Sequence, residues 1–474
     1  MTDSTDEKIK LSFNGKIVKK ELTEMLKRTA GVPSYVIEYL MGMYCTSDNE
    51  DELKKGFEKV KKILSSNFVH PDESEIVKSH IVESREKGYL LIDKVQCYFD
   101  ENERIYNTVL YNLKIKSTME MPHEYIIKYP KLLANGVWGM IKIKYLNENE
   151  NPFVIDAFEP IQMASFDINE IFSARNVFNR SEWQTLILRS IGYEPNELDN
   201  DSQIYILERI IPLIEKNFNL CELGPRGTGK SHVYKEISPY SILISGGKTS
   251  VANLFCNMRT GVLGLIGCWD CVAFDEVAGV EIKDPDSIQI LKDYMASGSF
   301  VRGKSEINAG ASIVYNGNID DGSDYGLKGR KLFEPFPKTF NRDSAFFDRI
   351  HCYIPGWRIP KMSTTIITKK FGWITDYFSE YCKEMRKFDY SDKFDKYFKL
   401  NNSCNIRDEK AIRKTFSGLA KILYPGQELS KEECEELLKY AIEGRKRVKI
   451  QLAEMASEFS ATDLDYIDKC EYHE

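Results

Sequence analysis

Asn219-Leu-Cys-Glu-Leu-Gly-Pro-Arg-Gly-Thr-Gly-Lys-Ser231 runs from a short apolar segment into a glycine-rich turn, and this stretch decides the fold. From Gly224 to Ser231 it matches the phosphate-binding pattern G-x4-G-K-[ST] at every position. The pattern works between a strand and a helix, because the N–H groups of the turn and the helix N-terminus then surround phosphate oxygens. The stretch therefore predicts an α/β domain with a parallel sheet and a nucleotide site.

The glycine-rich turn also predicts how ATP is held. Glycines let backbone N–H groups turn inward, Lys230 is expected to reach the β and γ phosphates, and the Ser231 hydroxyl is expected to bind Mg²⁺. The residues predicted to surround the nucleotide are Gly224, Pro225, Arg226, Gly227, Thr228, Gly229, Lys230 and Ser231. The alternative, a glycine-rich turn without chemical meaning, is disfavoured because motif and context agree.

Two carboxylates end the next informative segment, Cys271-Val-Ala-Phe-Asp-Glu276, which lies about 40 residues further on. Asp275 is expected to hold Mg²⁺ through water, and Glu276 to polarise the attacking water. Two acids at a strand end are often only a solvated turn. Together with the phosphate loop they favour ATP hydrolysis, and they distinguish the chain from small-molecule kinases, which need no water-activating glutamate.

A polar strand end completes the predicted catalytic group. The segment Ser312-Ile-Val-Tyr runs into Asn316-Gly-Asn318. A polar residue at the end of the strand beside the acid pair can orient water against the γ-phosphate. We favour Asn318 over Asn316 for this function, and the alternative is an asparagine that only forms a turn.

Two arginines outside these motifs are further candidates. Phe346-Phe-Asp-Arg349 precedes a short apolar segment, and Arg349 has no obvious partner in its own phosphate loop. In a ring it could reach the γ-phosphate of the neighbouring subunit and stabilise the transition state. Arg413, in the helical segment beyond, could close over the nucleotide, with Arg407 as the second choice. A solvent-exposed helical arginine is the alternative for Arg413.

The composition is that of a soluble globular protein. Of 474 residues, 42% are hydrophobic and 29% charged, and neither a membrane-length apolar run nor a signal-peptide core is found. We therefore expect a cytoplasmic protein that does not contact membranes. The 11 cysteines are interpreted as reduced core residues, and the single pair Cys268-Trp-Asp-Cys271 lacks the further ligands of a zinc site. A net charge of −7 leaves room for a local basic channel.

Periodicity predicts five segments. Apolar residues follow helical spacing in the first and alternate with polar residues in the second, where about five short strands suggest a small barrel, with an OB-like fold as one form. The predicted segments are a helical region 1–87, a β-rich domain 88–167, an α/β domain 168–370, a helical lid 371–457 and an acidic, frayed tail 458–474.

The order of these motifs resembles that of known protein families. The order of phosphate loop, acid pair, hairpin, strand-end asparagine and F-D-R is similar to that of AAA+ proteins with an insertion hairpin, including the MCM helicases and Lon. Almost the whole chain resembles the BrxL family, the Lon-like AAA+ component of BREX anti-phage systems. The stretches that carry this resemblance are Val32-Pro-Ser-Tyr-Val-Ile-Glu-Tyr-Leu-Met-Gly-Met-Tyr44, Cys221–Ser231, Lys292-Asp-Tyr-Met-Ala-Ser-Gly-Ser-Phe300 and Asp343-Ser-Ala-Phe-Phe-Asp-Arg349.

The resemblance implies a role in phage defence, with a hexameric ring, single or stacked as a double ring, that binds double-stranded DNA. Other BREX components are implied as partners. Longer members of the family continue past the lid into a Lon-type peptidase-like domain, whereas this sequence stops at Glu474. No segment after the lid could hold a Ser–Lys dyad, so no protease activity is expected.

One predicted hairpin indicates whether the ring acts on DNA or on a polypeptide. Apolar residues flank a turn at Gly303 that carries Arg302 and Lys304, and a basic tip in a ring channel would contact DNA phosphates. Protein unfoldases use an aromatic loop after the second strand, and Ser245–Ser250 contains no aromatic residue. A solvated surface turn is the alternative for the tip. We therefore expect a homo-oligomeric ATPase ring that binds DNA or translocates on it. An ATP-dependent protein remodeller or an ATP-gated scaffold for partner defence proteins is the alternative function.

Overall fold

The computed structural model describes most of the chain in two compact units. The first contains Met1–Phe166 and Lys369–Tyr377, and the second contains Asp167–Thr368 and Phe378–Glu474. The described residues are 4–30, 32–45, 49–84, 87–133, 136–147, 152–161, 166–257, 263–282, 285–302, 305–319, 332–337, 340, 343–459 and 463–469. None of the helices in these ranges is long and apolar enough to cross a membrane.

The first unit combines helices with an antiparallel sheet. Its helices are α1 (Ser4–Ser12), α2 (Lys20–Ala30), α3 (Ser34–Tyr44), α4 (Glu50–Asn67), α5 (Ser74–Ser84) and α6 (His123–Lys128). Its strands are β1 (Ile17–Lys19), β2 (Tyr89–Asp100), β3 (Ile105–Leu110), β4 (Ile115–Glu120), β5 (Val137–Tyr145) and β6 (Phe153–Pro160). Five strands form one sheet in the order β4-β3-β2-β5-β6, which confirms a helical and β-rich N-terminal region. The OB-like form stays a prediction, because no pairing in the described residues joins β4 to β6.

The second unit alternates strands and helices around a parallel sheet. Its helices are α7 (Ile168–Arg175), α8 (Arg180–Ser190), α9 (Asn200–Glu208), α10 (Ile211–Ile214), α11 (Lys230–Glu236), α12 (Val251–Leu254), α13 (Leu265–Cys268), α14 (Pro285–Ser297), α15 (Ser344–Phe347), α16 (Thr375–Met385, which begins in the first unit), α17 (Ile406–Leu423) and α18 (Lys431–Met455). Its strands are β7 (Asn219–Gly224), β8 (Ser241–Thr249), β9 (Cys271–Ile282), β10 (Ser299–Arg302), β11 (Ser305–Asn308), β12 (Ser312–Asn318), β13 (Cys352–Pro355), β15 (Phe398–Leu400) and β16 (Tyr466–Asp468). The strand β14 (Phe371–Trp373) belongs to the first unit.

Five of these strands form the parallel sheet that positions the candidate site. Their order is β13-β7-β12-β9-β8, and every neighbouring pair is parallel. β7 is buried along its whole length, as expected for a central strand covered on both faces. Because all five strands point the same way, the loop after β7, the end of β12 and the part of β9 beyond Phe274, where its pairing with β12 stops, lie at one edge of the sheet. The predicted α/β P-loop fold is confirmed.

The core of this unit lies against one face of the sheet and is rich in aromatic side chains. The stacked rings of Phe333 and Phe347 have centroids 4.1 Å apart, and Tyr315 of β12 packs edge-on against Phe346. Val448 and Leu452 bring α18 onto the same cluster. Each such side chain, once buried, contributes about 1.5–3 kcal/mol, so this cluster fixes α15 and α18 relative to the strands.

Local sequence signals explain where the long C-terminal helices begin. Asn405 caps α17 and Ser430 caps α18, and in each case the third residue of the helix, Asp408 or Glu433, accepts a hydrogen bond from the cap backbone. Such reciprocal capping satisfies N–H groups that have no partner inside the helix.

Two segments differ from the periodicity-based expectation. The sequence places residues from 371 in the lid, whereas β14 pairs with β1, and Thr375 donates from its N and Oγ1 to the buried Glu38 of the first unit. The sequence also predicts a frayed tail from residue 458, whereas Tyr466–Asp468 pairs with Phe398–Leu400. Pairs between strands so far apart in sequence leave no periodic signal in three-residue strands.

Candidate active site

The phosphate loop connects β7 to α11, and its glycines either adopt a backbone conformation that other residues disfavour or leave no space for a side chain. Gly227 and Gly229 have φ values of 83° and 81°, the left-handed region that favours glycine. A Cβ on Gly224 would lie 2.5 Å from the backbone of Gly356, which follows the neighbouring strand β13. The loop thus requires glycine for two physical reasons, backbone conformation and close approach of another chain segment.

The Lys230 side chain is buried against its own loop. Its Nζ donates to the carbonyl oxygens of Gly224 at 3.0 Å and Pro225 at 2.7 Å. Burial lowers the pKa of Lys230, while the nearby Glu222 opposes the shift. The ammonium therefore lies inside the turn whose N–H groups the motif directs at phosphate oxygens.

Ser231 and Asp275 meet where β7 ends and where β9, beyond Phe274, no longer pairs with β12. The sequence predicts a strand that ends at Glu276, whereas β9 continues to Ile282. The Ser231 Oγ donates to Asp275 Oδ1 at 2.9 Å. A hydroxyl and a carboxylate are hard oxygen donors, the ligand type that Mg²⁺ prefers. This pair therefore fits a magnesium ion.

Glu276 adopts an unusual backbone conformation. Its φ is 52°, one of four positive values among the described non-glycine residues, and its N–H donates to Asp275 Oδ1 at 3.2 Å. The side chain is exposed, while the next residue, Val277, is buried. The left-handed conformation lies inside β9, and the Glu276 carboxylate lines the cleft while the next side chain is buried.

One cleft of about 440 Å³ joins several predicted residues. Glu276, Asn318 and the loop residues Pro225 and Arg226 all line it. Lys361 lines it as well. Asn316, two residues before Asn318, is fully buried instead, and its side chain has no hydrogen-bond partner in the described part of the chain. The geometry therefore places Asn318, and not Asn316, beside Glu276.

A buried ion pair contacts the backbone of the phosphate loop. Arg209, just after α9, donates to Glu222 of β7 through Nε at 2.8 Å and Nη2 at 2.6 Å, and both side chains are fully buried. Its Nη1 donates to the Thr228 carbonyl and to the Tyr193 hydroxyl, each at 3.0 Å. Burial alone would lower the pKa of Arg209, but the charge of Glu222 raises it above its ordinary value.

Sequence reasoning missed Lys361 and Arg209. Lys361 belongs to no motif, and only the fold brings it to the cleft. Arg209 left a signal, because Glu208 and Arg209 are charged residues inside the otherwise apolar stretch Ile204–Ile214. Charged side chains in a fully buried segment are almost always paired, so such a doublet indicates an internal ion pair.

Arg349 lies away from the phosphate loop of its own subunit. It follows α15 and precedes β13, and Asn219, the first residue of β7, donates from Nδ2 to the Arg349 carbonyl at 2.9 Å. The phosphate loop follows the other end of β7. Arg349 therefore lies at the opposite edge of the sheet, and its Nη1 donates to the Ala345 carbonyl.

A charged network fixes the chain around Arg349. Arg445 of α18 contacts Asp348 at 2.6 Å and Asp408 at 2.8 Å, and it donates to the Ile350 carbonyl at 2.6 Å. Arg407 pairs with Asp348 as well. Although burial opposes the shift, Arg445 and Arg407 lower the pKa of Asp348. The helices α17 and α18 thus hold both neighbours of Arg349.

The structure does not bring Arg413 to the phosphate loop. Its guanidinium contacts Asp395 at 2.8 Å and Glu409 at 2.8 Å and donates to the Ser391 carbonyl at 3.0 Å. These groups, all in the predicted lid, satisfy most of its donors. Arg407 is paired with Asp348 and is likewise not among the residues that line the cleft.

The hairpin that the sequence predicts is present. β10 and β11 pair antiparallel, from Ser299 opposite Asn308 to Arg302 opposite Ser305. Phe300 is buried and Val301 is exposed. Lys304 lies outside the described residues, as does the side chain of Arg302. The basic tip therefore stays a prediction.

A parallel sheet with a phosphate loop, an acid pair and a polar strand end at one edge defines an AAA+ P-loop ATPase domain. The family model described as "Lon-like protease BrxL-like, ATPase domain" matches residues 153–465. The model described as "BREX system Lon protease-like protein BrxL N-terminal" matches residues 11–145. The chain belongs to the BrxL family, which confirms the resemblance found in its sequence.

Two curated relatives show the extent of the similarity. The chain is 51% identical over 466 residues to the Lon-like protease BrxL of Bacillus cereus (strain H3081.97), covering 97% of the chain and 68% of that protein. It is 49% identical over 461 residues to the Lon-like protease BrxL of Escherichia coli O9:H4 (strain HS), covering 96% and 66%. The chain spans about two thirds of the length of these relatives.

Proposed function

We propose that this chain hydrolyses ATP with Mg²⁺ in a ring that binds double-stranded DNA, as part of BREX-type phage defence in the cytoplasm. The observation that carries the ATPase part is the Ser231–Asp275 hydrogen bond at the same sheet edge as the cleft formed by Glu276 and Asn318. Peptidase activity is not carried over from the name of the relatives, because about a third of each relative lies outside the alignment.

Each residue of the site has a step in this proposal. Ser231 and Asp275 would hold Mg²⁺, which when bound supplies charge that stabilises the phosphate oxygens. Lys230 binds the β and γ phosphates, Asn318 orients the attacking water, and Glu276 accepts a proton from it. Arg226 and Lys361 add positive charge to the same cleft.

The ring is proposed from the position of Arg349. Its distance along β7 from its own phosphate loop suits an arginine that acts on the nucleotide of a neighbouring subunit. A head-to-tail interface closes into a ring when its rotation permits, and the family resemblance favours a hexamer, single or stacked. Arg413 is retained as a nucleotide contact only if the lid rearranges when nucleotide binds.

DNA is preferred over polypeptide because of the hairpin. β10 and β11 pair antiparallel, and Arg302 and Lys304 stand in the sequence where one strand gives way to the other. Positive charges in a channel bind DNA phosphates without reading sequence. The second candidate is an ATP-dependent protein remodeller or a scaffold that regulates other BREX components. Stimulation of ATP turnover by duplex DNA favours the first function, and stimulation by an unfolded protein favours the second.

A salt titration of duplex binding tests the DNA part of this proposal. Arg302→Ala with Lys304→Ala should reduce the slope of log affinity against log salt by about 0.9 for each phosphate interaction removed, equally for all sequences. Basal ATPase activity should survive, and stimulation by DNA should disappear. Lys399→Ala with Lys439→Ala removes the same charge elsewhere and serves as the control. Slopes and affinities equal to those of the unsubstituted protein would reject the channel hairpin.

A further inference from the structure

A second cavity lies in the same unit, far from the phosphate loop. Its volume is about 540 Å³, and it opens where α17, the end of α16 and the segment before β7 meet. Lys216 lies three residues before the first residue of β7, so this cavity is at the edge of the sheet opposite to the nucleotide cleft. None of the residues assigned to ATP hydrolysis lines it, apart from Arg413, which the structure keeps away from the loop.

Positive charge dominates the cavity. Six of its lining side chains are cationic and three are carboxylates, in a chain whose net charge is −7. The cations are Lys216, Arg386, Lys387, Lys410, Arg413 and Lys414. Some of this charge is neutralised, because Arg413 pairs with Asp395 and Glu409 and Lys387 pairs with Glu384.

The other cations are bonded mainly to neutral groups. Lys410 donates to the Ala296 carbonyl, and Lys414 donates to the carbonyls of Lys216 and Asn217. No ion pair involves Lys216, Lys410 or Lys414 within the part of the chain that the structure describes. A carbonyl satisfies a donor but leaves the charge of the ammonium in place, so the cavity keeps an uncompensated positive field.

Arg386 adds to this field from the floor of the cavity. It donates to the backbone carbonyls of Pro212, Leu213, Asp270 and Gly310. Its nearest carboxylate oxygen, on Asp270, is 3.8 Å away. The guanidinium is buried and its Nη hydrogens are taken up by these carbonyls, so Arg386 contributes positive charge to the cavity and not a free hydrogen-bond donor.

Neighbouring positive charges contribute to the lowered pKa of Lys414. Burial, together with the charges of Lys410, Lys421 and Arg386, lowers its pKa to about 8, although Glu215 opposes the shift. An anion in the cavity would reverse the effect of these like charges and restore the charged form.

We propose that this cavity binds the phosphate groups of a second anionic ligand, with Lys216, Lys410 and Lys414 as the residues that bind them and Arg386 as a buried positive charge beneath them. The spacing of Lys410 and Lys414, one turn apart on α17, places both on one helix face. Phe388 and Ile406 give the cavity an apolar rim, which suits a base or sugar beside the phosphates. Free nucleotides and the DNA backbone share this chemistry.

The same site is in contact with the base of the hairpin. Asn217 donates from its N to the Gly310 carbonyl at 3.1 Å and from Nδ2 to the Ala309 carbonyl at 3.0 Å. Arg386 donates to the Gly310 carbonyl as well. A phosphate held by Lys216 therefore lies close to the chain that leaves β11, because the Lys216 side chain lies beside Gly310.

Calorimetry with inorganic tripolyphosphate tests the site on the full chain. The background variant Lys230→Ala removes the phosphate-loop lysine, so that binding there is weakened. Lys216→Gln with Lys410→Gln, both exposed positions, should weaken tripolyphosphate binding at least about tenfold, because removal of a single charge-assisted hydrogen bond reduces an affinity by about that factor. Lys399→Gln with Lys439→Gln is the matched control and should bind as the background does.

Two results would overturn the site: no tripolyphosphate binding by the Lys230→Ala protein, or equal affinities for the cavity and control variants. A salt titration of duplex DNA then identifies the source of the phosphates. A slope reduced by about 0.9 per phosphate in the cavity variant supports the DNA backbone, and an unchanged slope with weakened tripolyphosphate binding supports a free nucleotide. If the unsubstituted protein binds no DNA, the proposed DNA function fails, while the calorimetric result still supports the site.

Discussion

Glu276 has a strained backbone conformation. A non-glycine residue in the left-handed region costs about 1–3 kcal/mol and persists only where its surroundings determine it. Here the flanking residues of β9, the bond from Glu276 N to Asp275 Oδ1 and the buried Val277 determine it. The strain is consistent with a carboxylate held ready at the cleft, where proton transfer requires a fixed distance to water.

Glu276→Gln separates binding from hydrolysis. The amide keeps the shape of the side chain but cannot accept a proton from water, so ATP turnover should fall by about 10²–10⁴-fold while ATP binding is retained. Nucleotide binding and steady-state turnover are the two measurements. Lys230→Ala, which should weaken binding itself, is the comparison. Turnover at the unsubstituted rate in Glu276→Gln would show that another group activates the water.

At the residue scale, local motifs are predictable and long-range partners are not. The phosphate loop is one continuous stretch of sequence and the acid pair is another. The structure joins the two through the hydrogen bond between Ser231 and Asp275. Lys361 reaches the cleft only because β13 lies beside β7. For Arg413 the sequence shows only a position on a helix, and its partner Asp395 cannot be inferred without the fold.

The Arg209–Glu222 pair allows stability and positioning to be separated. Arg209→Met alone leaves a buried charge without its partner and should destabilise the protein by about 3–5 kcal/mol. Arg209→Met with Glu222→Met should be close to neutral in unfolding but should raise the KM for ATP, because the Thr228 carbonyl loses its donor. The matched control replaces the buried pair Lys421–Glu215, which does not touch the loop. An unchanged KM in the double variant would limit Arg209 to stability.

At the element scale, α9 ends in a carboxyl that is fully buried. Burial raises the pKa of Glu208 to about 8, while Arg447 opposes the shift. Because the folded pKa is above the ordinary value of 4.5, the folded state retains its proton between these pH values and the unfolded state releases it. This group therefore contributes stability that is lost as pH rises through that window.

Glu208→Gln tests the contribution of this carboxyl. The amide does not titrate, so the variant should lack up to about 1.4 kcal/mol per pH unit of declining stability between pH 4.5 and 8. Above pH 8 it should therefore be more stable than the unsubstituted protein. Denaturant unfolding at a series of pH values measures this, with Glu334→Gln, at an exposed position, as the control. Parallel stability curves for the two variants would contradict the raised pKa.

Elements are predictable where their sequence carries its own boundaries. The β10–β11 hairpin follows from two apolar segments around a glycine turn, and α17 and α18 begin at capping residues. β14 and β16 escape prediction because each has three residues and pairs with a strand far away in the sequence. The free energy of such pairs comes from tertiary packing, which no local pattern records.

At the scale of the whole molecule, the parallel sheet separates the nucleotide-site residues from Arg349. The phosphate loop, Asp275 and Glu276 lie at one edge, and Arg349 lies at the other. A single subunit cannot bring them together without unfolding β7. The network from Arg445 through Asp348 instead holds Arg349 in a fixed place. A head-to-tail assembly, with one edge facing the other, would unite the two halves.

Mixing two inactive variants tests that assembly. An Arg349→Ala subunit keeps an intact phosphate loop, and a Lys230→Ala subunit keeps an intact Arg349. When they are mixed in equal amounts, about one interface in four should combine both intact parts and recover turnover. Mixing Lys230→Ala with Glu276→Gln is the control, because every subunit then has a defect in its own cleft, and no interface should recover. Recovery confined to the first mixture assigns Arg349 to the neighbouring nucleotide. Equal inactivity of both mixtures, with assembly and exchange intact, would place its action within its own subunit.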